Sequence, residues 1–341
     1  MAPAQPYLEG DERMRFDRWL EAAWKRFCPP LTFTEIRKGA QALSTHYVER
    51  RAEPGLSERA LAGRGKRAAF ATYYAALHFL AAWHAARRLE DTLADTVQVH
   101  DLGCGTGAAG AAVARAVNAP AVRGLDRSGW ALGEARRTYA ALGLRGATGR
   151  AQLPAGMPRR TGPGDLLLLA WTANELAESD REALAEGLWR AAERGARVLV
   201  LEPLAGAAVP WWDAWAKRAR AAGGGALQWK RALARPALVA RMDKAAGLDH
   251  AVLGARALWL PGSGSPAGEA RTEVEAEGRG AAGDHPLRRG RRRSAPGHGG
   301  RAVMPCLRRA PEARAAPSRQ RLGFPSCPLQ PPSSARGEGP S

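Results

Sequence analysis

The sequence predicts a doubly wound α/β protein: a parallel sheet covered on both faces, preceded by an N-terminal helical region and followed by a disordered tail. Three observations carry this. Two apolar runs, DLLLLA from Asp165 and VLVLEP ending at Pro203, are separated by one helix-length stretch. Strands apolar on both faces belong to parallel sheets buried on both sides. A strand signal runs straight into the glycine loop Gly103-Cys104-Gly105-Thr106-Gly107 and then into helix-forming residues. Finally, composition breaks at Pro261: residues 261–341 hold 13 Gly, 12 Pro and a single aromatic, Phe324. That is too little large apolar side chain to offset the entropy of ordering.

Taken in order, residues 1–95 form the helical region. Phe16, Trp19, Leu20, Ala23, Trp24 and Phe27 recur with helical period, and Cys28-Pro29-Pro30 ends that run, because a residue before proline is pushed out of the α region. Ile36, Ala40, Leu43 and Tyr47 mark a second helix; after a polar connector opened by Pro54-Gly55, a third runs from about Ala68 to Leu89. Residues 96–260 alternate strand and helix. Val97–His100 is a strand ending at Asp101, with helix following the loop to Val117. Ala121–Leu125 is a second strand, and Ser128 caps a helix stopped by Gly143. Asp165 opens the apolar LLLLA strand, Ser179-x-x-Glu182 is a capping box for a helix ending at Gly195, Arg197–Leu201 is a further strand, and Ala251–Leu260 supplies an edge segment. Between the last two, Trp211, Trp212, Trp215 and Trp229 are interleaved with Arg and Lys. The i, i+4 spacing of Trp211 and Trp215 favours a helix packed on the sheet over a base-stacking surface.

The chain of 341 residues carries a formal charge of +18, nearly all from arginine. Arginine, alanine and glycine richness also follows from a GC-rich genome, so the charge alone is weak support for nucleic acid. The tail's RRGRRR (288–293) reads as a solvated appendage before it reads as a nucleic-acid segment. Cys28, Cys104, Cys306 and Cys327 form no CxxC pair, which points to a reducing, cytoplasmic setting and away from a disulfide framework or a metal cage. No leader-like region opens the chain, and the longest apolar run, Leu166–Trp171, is far short of the ~20 residues a membrane span needs.

The chemistry sits in the loop. Its glycines are spaced GxGxG, whereas a dinucleotide loop reads GxGxxG and lays a pyrophosphate on a helix N-terminus. Asp101 stands two residues before the first glycine. A buried anion there would repel a pyrophosphate and favour a cationic sulfonium with its α-amino group. Asp126, 19 residues past Gly107, can accept ribose hydroxyls, a role common to nucleoside-binding folds of this kind. His100 reads as a satisfied core residue, and no catalytic pairing for a nicotinamide-dependent oxidoreductase is identifiable.

DLGCGTG, Asp126, DLLLLA and VLVLEP resemble class I S-adenosylmethionine-dependent methyltransferases over residues 68–260. LLLLAWTANEL followed by LEP, with the helix ATYYAALHFLAAWHAARRL before the first strand, is similar to the branch holding the mitochondrial small-ribosomal-subunit methyltransferase-like proteins and their bacterial relatives. The resemblance implies a Rossmann-like methyltransferase sheet at 96–260 with S-adenosyl-L-methionine as cofactor. Gly103, Cys104, Gly105 and Gly107 would line its methionine part and Asp126 its ribose, while Ala170, Trp171 and Asn174 lie near the methyl group. Glu175 is the candidate catalytic carboxylate, as general base or acceptor contact. NPPY and DPPY are absent. The ribosomal members carry a downstream cysteine cluster for iron–sulfur binding; here only Cys306 and Cys327 follow the fold, so no cluster is inferred. The acceptor is left open between RNA, a ribosomal component and a small molecule. The alternative is a non-catalytic RNA-binding or ribosome-assembly factor that keeps the fold.

Overall fold

The computed structural model describes residues 4–49 and 61–262. The expected tail 261–341, with Cys306, Cys327 and RRGRRR, therefore lies outside the described residues except for its first two positions. Helix α1 (Gly10–Phe27) buries Phe16, Trp19, Leu20 and Ala23 and stops at Cys28, whose backbone is extended. Helix α2 (Phe33–Glu49) opens on a reciprocal cap at Thr32 and Glu35: the Glu35 carboxylate accepts the Thr32 N–H at 2.7 Å, and the Thr32 hydroxyl accepts the Glu35 N–H at 3.3 Å. The capping box expected at Ser179 and Glu182 is not formed. Helix α6 (Glu178–Glu193) starts two residues earlier, with Ala177 at the cap position, so Ser179 lies inside its first turn and caps nothing.

Arg64–Ala69, a π turn at Phe70–Tyr74 and Ala75–Arg88 run on as one helix, α3, starting four residues before the expected Ala68. The strands are β1 (Gln98–Leu102), β2 (Ala121–Asp126), β3 (Arg145–Arg150), β4 (Asp165–Ala170), β5 (Arg197–Glu202), β6 (Gly225–Ala232) and β7 (Val252–Leu260). They form one sheet in the order β3-β2-β1-β4-β5-β7-β6. Pairs among β1 to β5 are parallel, and β7 runs antiparallel to both β5 and β6. The segment read as an edge, Ala251–Leu260, is thus an interior strand; β6 and β3 are the edges. Helices α4 (Ala108–Ala116), α5 (Gly129–Ala141), α7 (Trp212–Ala221) and α8 (Ala237–Ala246) complete the body. Among the described residues no helix is long and apolar enough to cross a membrane.

The core lies where the sheet is covered twice. Leu166, Leu167, Leu168 and Leu169 of β4 are each 0% exposed, and full burial of one such side chain is worth roughly 1.5–3 kcal/mol. Trp211, Trp212 and Trp215 pack over the sheet with Trp189 of α6, the Trp211 and Trp215 rings 4.4 Å apart. Trp229 is not part of this group. It sits on β6 against His84 and Arg88 of α3. His100 is buried, its Nε2 2.9 Å from Asp165 Oδ1, as expected of a core histidine.

Candidate functional site

The crevice is built at the carboxyl end of β1, where open α/β sheets bind ligands. The N–H groups of Gly103 and Cys104 both donate to the Leu125 carbonyl, at 2.8 and 3.0 Å, which ties the loop to β2. Gly103, Gly105 and Gly107 all have left-handed backbone, with φ of +75°, +50° and +75°. Their surroundings differ. A Cβ on Gly103 would lie 2.5 Å from Thr172 Oγ1, and one on Gly107 would lie 2.7 Å from Tyr139 Cε1. A Cβ on Gly105 would meet only the Phe70 ring edge, at 3.4 Å. Gly103 and Gly107 are therefore required by the protein's own packing, and Gly105 is the position that opens the backbone toward the crevice.

Asp126 ends β2 beside the loop. Its Oδ2 accepts the Gly105 N–H at 2.9 Å and its Oδ1 the Ser128 N–H at 2.7 Å. Each oxygen keeps a lone pair for a hydroxyl donor. Asp101 takes a different place from the one expected. Its carboxyl is 1% exposed, turned beneath the loop, and accepts the N–H of Gly110 in α4 at 3.1 Å. Burial raises its pKa to about 7, the Gly110 bond opposes this, and the Asp126 charge adds to it. Asp101 anchors the first turn of α4 and does not line the crevice as a free anion. Cys104 is corrected in the same way. Its side chain points inward against Tyr139 and Gly124, and burial pushes the thiol well above its ordinary range. Only its backbone belongs to the loop surface.

The opposite wall is the exit of β4. Ala170 closes the strand, and the Trp171 N–H extends the ladder to the Leu201 carbonyl at 2.8 Å while its own φ is +54°. The Thr172 hydroxyl bridges the carbonyls of Ala170 and Gly103, at 3.1 and 3.4 Å. A short 3-10 turn, Ala173–Glu175, follows. Asn174 Oδ1 is buried and accepts no hydrogen bond among the described residues. Glu175 reaches solvent at the mouth of this concavity, yet protein hems it in on the crevice side. That poor solvation raises its pKa to about 7; Arg127 opposes the rise and Asp126 reinforces it. Beneath it, Glu202 at the end of β5 is 0% exposed with neither carboxyl oxygen hydrogen-bonded. Burial drives its pKa well up, helped by the Glu175 charge and opposed by the nearby N–H groups of Asn174 and Ala173 and by Arg181.

Sequence reasoning missed the third side, the π turn of α3. Phe70 covers Gly105, and the His78 ring stacks on Trp171 at 4.5 Å with 14° between planes. Burial, with a smaller contribution from His250, lowers the His78 pKa to about 4, so the ring is neutral. A π turn inside a helix frequently marks a functional site, but its sequence reads as ordinary helix. The one usable signal was a histidine within an otherwise apolar stretch, YYAALHFL.

The family model described as a methyltransferase domain matches residues 99–195. No curated protein sequence matches the chain. Among solved structures, the chain is similar to NcsB1, an O-methyltransferase from neocarzinostatin biosynthesis solved with S-adenosylmethionine and 2-hydroxy-5-methyl naphthoic acid. That match has 17% identity and a TM-score of 0.41, covering 65% of this chain and 68% of that one. The pyocyanin biosynthetic protein PhzM matches at 20% identity and TM-score 0.37, over 60% of this chain and 59% of its own. The YcgJ protein of Bacillus subtilis matches at 12% identity and TM-score 0.35, over 52% and 96%. From β1 to Gly195 the chain is thus similar to a methyltransferase domain.

Proposed function

We propose that the chain uses S-adenosyl-L-methionine to methylate an acceptor by in-line displacement. The observation that carries this reading is the loop at Gly105: left-handed backbone without a Cβ, open to the crevice, with the Asp126 carboxylate against its N–H. When bound, the cofactor supplies an activated methyl group on a sulfonium whose departure leaves a neutral thioether, so the protein's task is positioning and exclusion of water. The residues present suit that group. Asp126 has acceptor capacity for ribose hydroxyls, and the Gly105 backbone admits close approach of the methionine part. Asn174 has a buried carbonyl oxygen with no partner among the described residues, which would be available to the methyl end of the cofactor. Since Asp101 is turned under the loop, Asp126 and Glu175 are the carboxylates that would offset the charge of the sulfonium. Glu175, with a pKa near neutrality, can take a proton from an acceptor hydroxyl or amine.

The test is calorimetry of the full chain with S-adenosylhomocysteine, followed by transfer of labelled methyl to RNA, protein and metabolite pools. Binding is expected in the wild type, absent in Gly105→Val and weakened in Asp126→Ala. Full affinity in Gly105→Val would sink the assignment. A second reading, an RNA-binding factor without turnover, is favoured by the open sheet edge. There Arg123, Arg136, Arg145 and Arg150 are exposed and form no ion pair among the described residues. Salt-dependent RNA affinity with no methyl transfer from a bound cofactor would select it.

A further inference from the structure

We propose that Trp171, backed by His78 and flanked by Phe70, is an acceptor subsite for a flat heteroaromatic ring that bears an O–H or N–H on its edge and no phosphate. The inference rests on the methyl-transfer reading and names the acceptor class of the same crevice. Its first support is backbone geometry. Among the described residues Trp171 is one of three non-glycine residues with positive φ, at +54°. A bulky side chain in that region is costly and persists where surrounding structure holds it, most often at ligand sites. What holds it here is on the page: the His78 stack on one side, and Thr172 clamped to Ala170 and Gly103 on the other.

The second support is an indole that is not closed off. Trp189, Trp211, Trp215 and Trp229 are 4–7% exposed, with indole nitrogens sealed in the core. Trp171, like Trp24, Trp83 and Trp130, is only partly buried, with an Nε1 neither sealed nor hydrogen-bonded among the described residues; of these four, Trp171 alone follows directly on a strand of the sheet, the other three lying on helices. His78 covers one face of the indole, which leaves the second face and the N–H as the surfaces a ligand would meet. A ring stacked there gains contact because every planar π-system has a face to offer.

Charge narrows the class. His78 is neutral and brings no cation to the platform. Asp126 stands across the crevice and Glu175 follows Trp171 on the same turn; both would repel a phosphate and accept from an O–H or N–H. The Arg127 charge is already set against Glu175. The proton step balances on the acceptor: its O–H or N–H bond breaks, the proton passes to a Glu175 oxygen, and the freed lone pair forms the bond to the donated methyl carbon as that carbon's bond to sulfur breaks.

The test uses the full chain and 3-hydroxyquinoline, compared by calorimetry with its saturated counterpart decahydroquinolin-3-ol and with quinolin-3-yl phosphate. The flat alcohol is expected to bind at least tenfold more tightly than either. Trp171→Leu should weaken it roughly ten- to hundredfold, the range of one lost stacking contact, and Trp171→Phe should restore most of the affinity. The indole N–H resonance that disappears in Trp171→Phe should shift when hydroxyquinoline is added to the wild type, a readout that survives poor folding of the leucine variant. Equal binding of the saturated alcohol, an unmoved indole signal, or displacement of hydroxyquinoline by S-adenosylhomocysteine would each overturn the subsite. Failure of the wild type to bind S-adenosylhomocysteine would instead sink the methyl-transfer reading, and the acceptor role with it.

Discussion

Alanine at each of the three loop glycines separates fold from function. All three have left-handed backbone, which costs an L-residue roughly 1–2 kcal/mol. At Gly105 little is added, because the new Cβ meets the Phe70 ring edge at 3.4 Å, an ordinary contact. At Gly103 the Cβ falls 2.5 Å from Thr172, and at Gly107 2.7 Å from Tyr139, with the Ala135 backbone at 3.0 Å. Overpacking of this kind costs about 1–3 kcal/mol more. Denaturant titration should therefore show Gly105→Ala destabilised by about 1–2 kcal/mol, and Gly103→Ala and Gly107→Ala by about 2–5 kcal/mol. For a body of this size each kcal/mol moves the Tm by roughly 2–4 °C. Affinity for S-adenosylhomocysteine should fall out of proportion to stability at Gly105 alone, where the methyl group enters ligand space. Equal destabilisation at all three positions, or unchanged affinity in Gly105→Ala, would refute the assignment of Gly105 as the crevice-facing position.

Three further outcomes follow from the same geometry. The Glu175 pKa is raised to about 7, so its ionisation opposes folding. Glu175→Gln should match the wild type below the ordinary carboxylate pKa and become the more stable protein as pH rises through about 7, while methyl transfer that depends on Glu175 rises over that window; thermal melts and a pH–rate profile check both. The His78 pKa is lowered to about 4, so its contribution is present above the ordinary histidine pKa of ~6.5 and lost as pH falls toward 4. His78→Phe, which keeps a stacking ring, should flatten the acid limb of the melting curve between those values. Thr32→Ala removes the reciprocal cap of α2 and should cost about 1 kcal/mol in denaturant titration, with cofactor binding unchanged.

The elements legible in the sequence were those whose surroundings are uniform. DLLLLA and RVLVLE are buried on both faces, so composition alone announces them, and Ser128 and Gly143 bracket α5 as their chemistry requires. Strand β3 reads RGATGR with no large apolar residue, because it lies at the sheet edge with most positions open. Strand β6 was hidden for a similar reason: its alternation is broken by Lys230 and Arg231, and the preceding tryptophans drew it into a helical reading. Side-chain direction was the harder loss. A carboxylate before a glycine loop can face the ligand or tuck beneath the helix. What decides here is Gly110, where a Cβ would stand 2.3 Å from Asp101 Oδ2. The glycine in AAGAA was the available signal that Asp101 points down.

The π turn explains how a helix from the N-terminal region comes to shape a site on the sheet. Tyr73 donates to buried Asp243 of α8, which also accepts from Arg235 at 2.8 Å and lies 2.9 Å from His250 Nδ1. Burial alone would raise the Asp243 pKa, but its bonds to His250, Tyr73 and Arg235 outweigh it and the net shift is downward, so the group stays ionised. Tyr74 donates to the Ala40 carbonyl of α2 at 3.0 Å. Consecutive residues are thus tied to α8 and α2, away from the loop, while Phe70 lies over Gly105 and His78 against Trp171. A regular helix would have to satisfy both sets of contacts with unbroken i to i−4 bonding; the π turn gives local freedom to meet both at once. The contact on Trp171 comes from His78, in the regular helix one turn beyond the π turn. Two local irregularities, the positive φ of Trp171 and the π turn that carries Phe70, thus border the same crevice, as expected where a fold gives up local regularity for a binding surface.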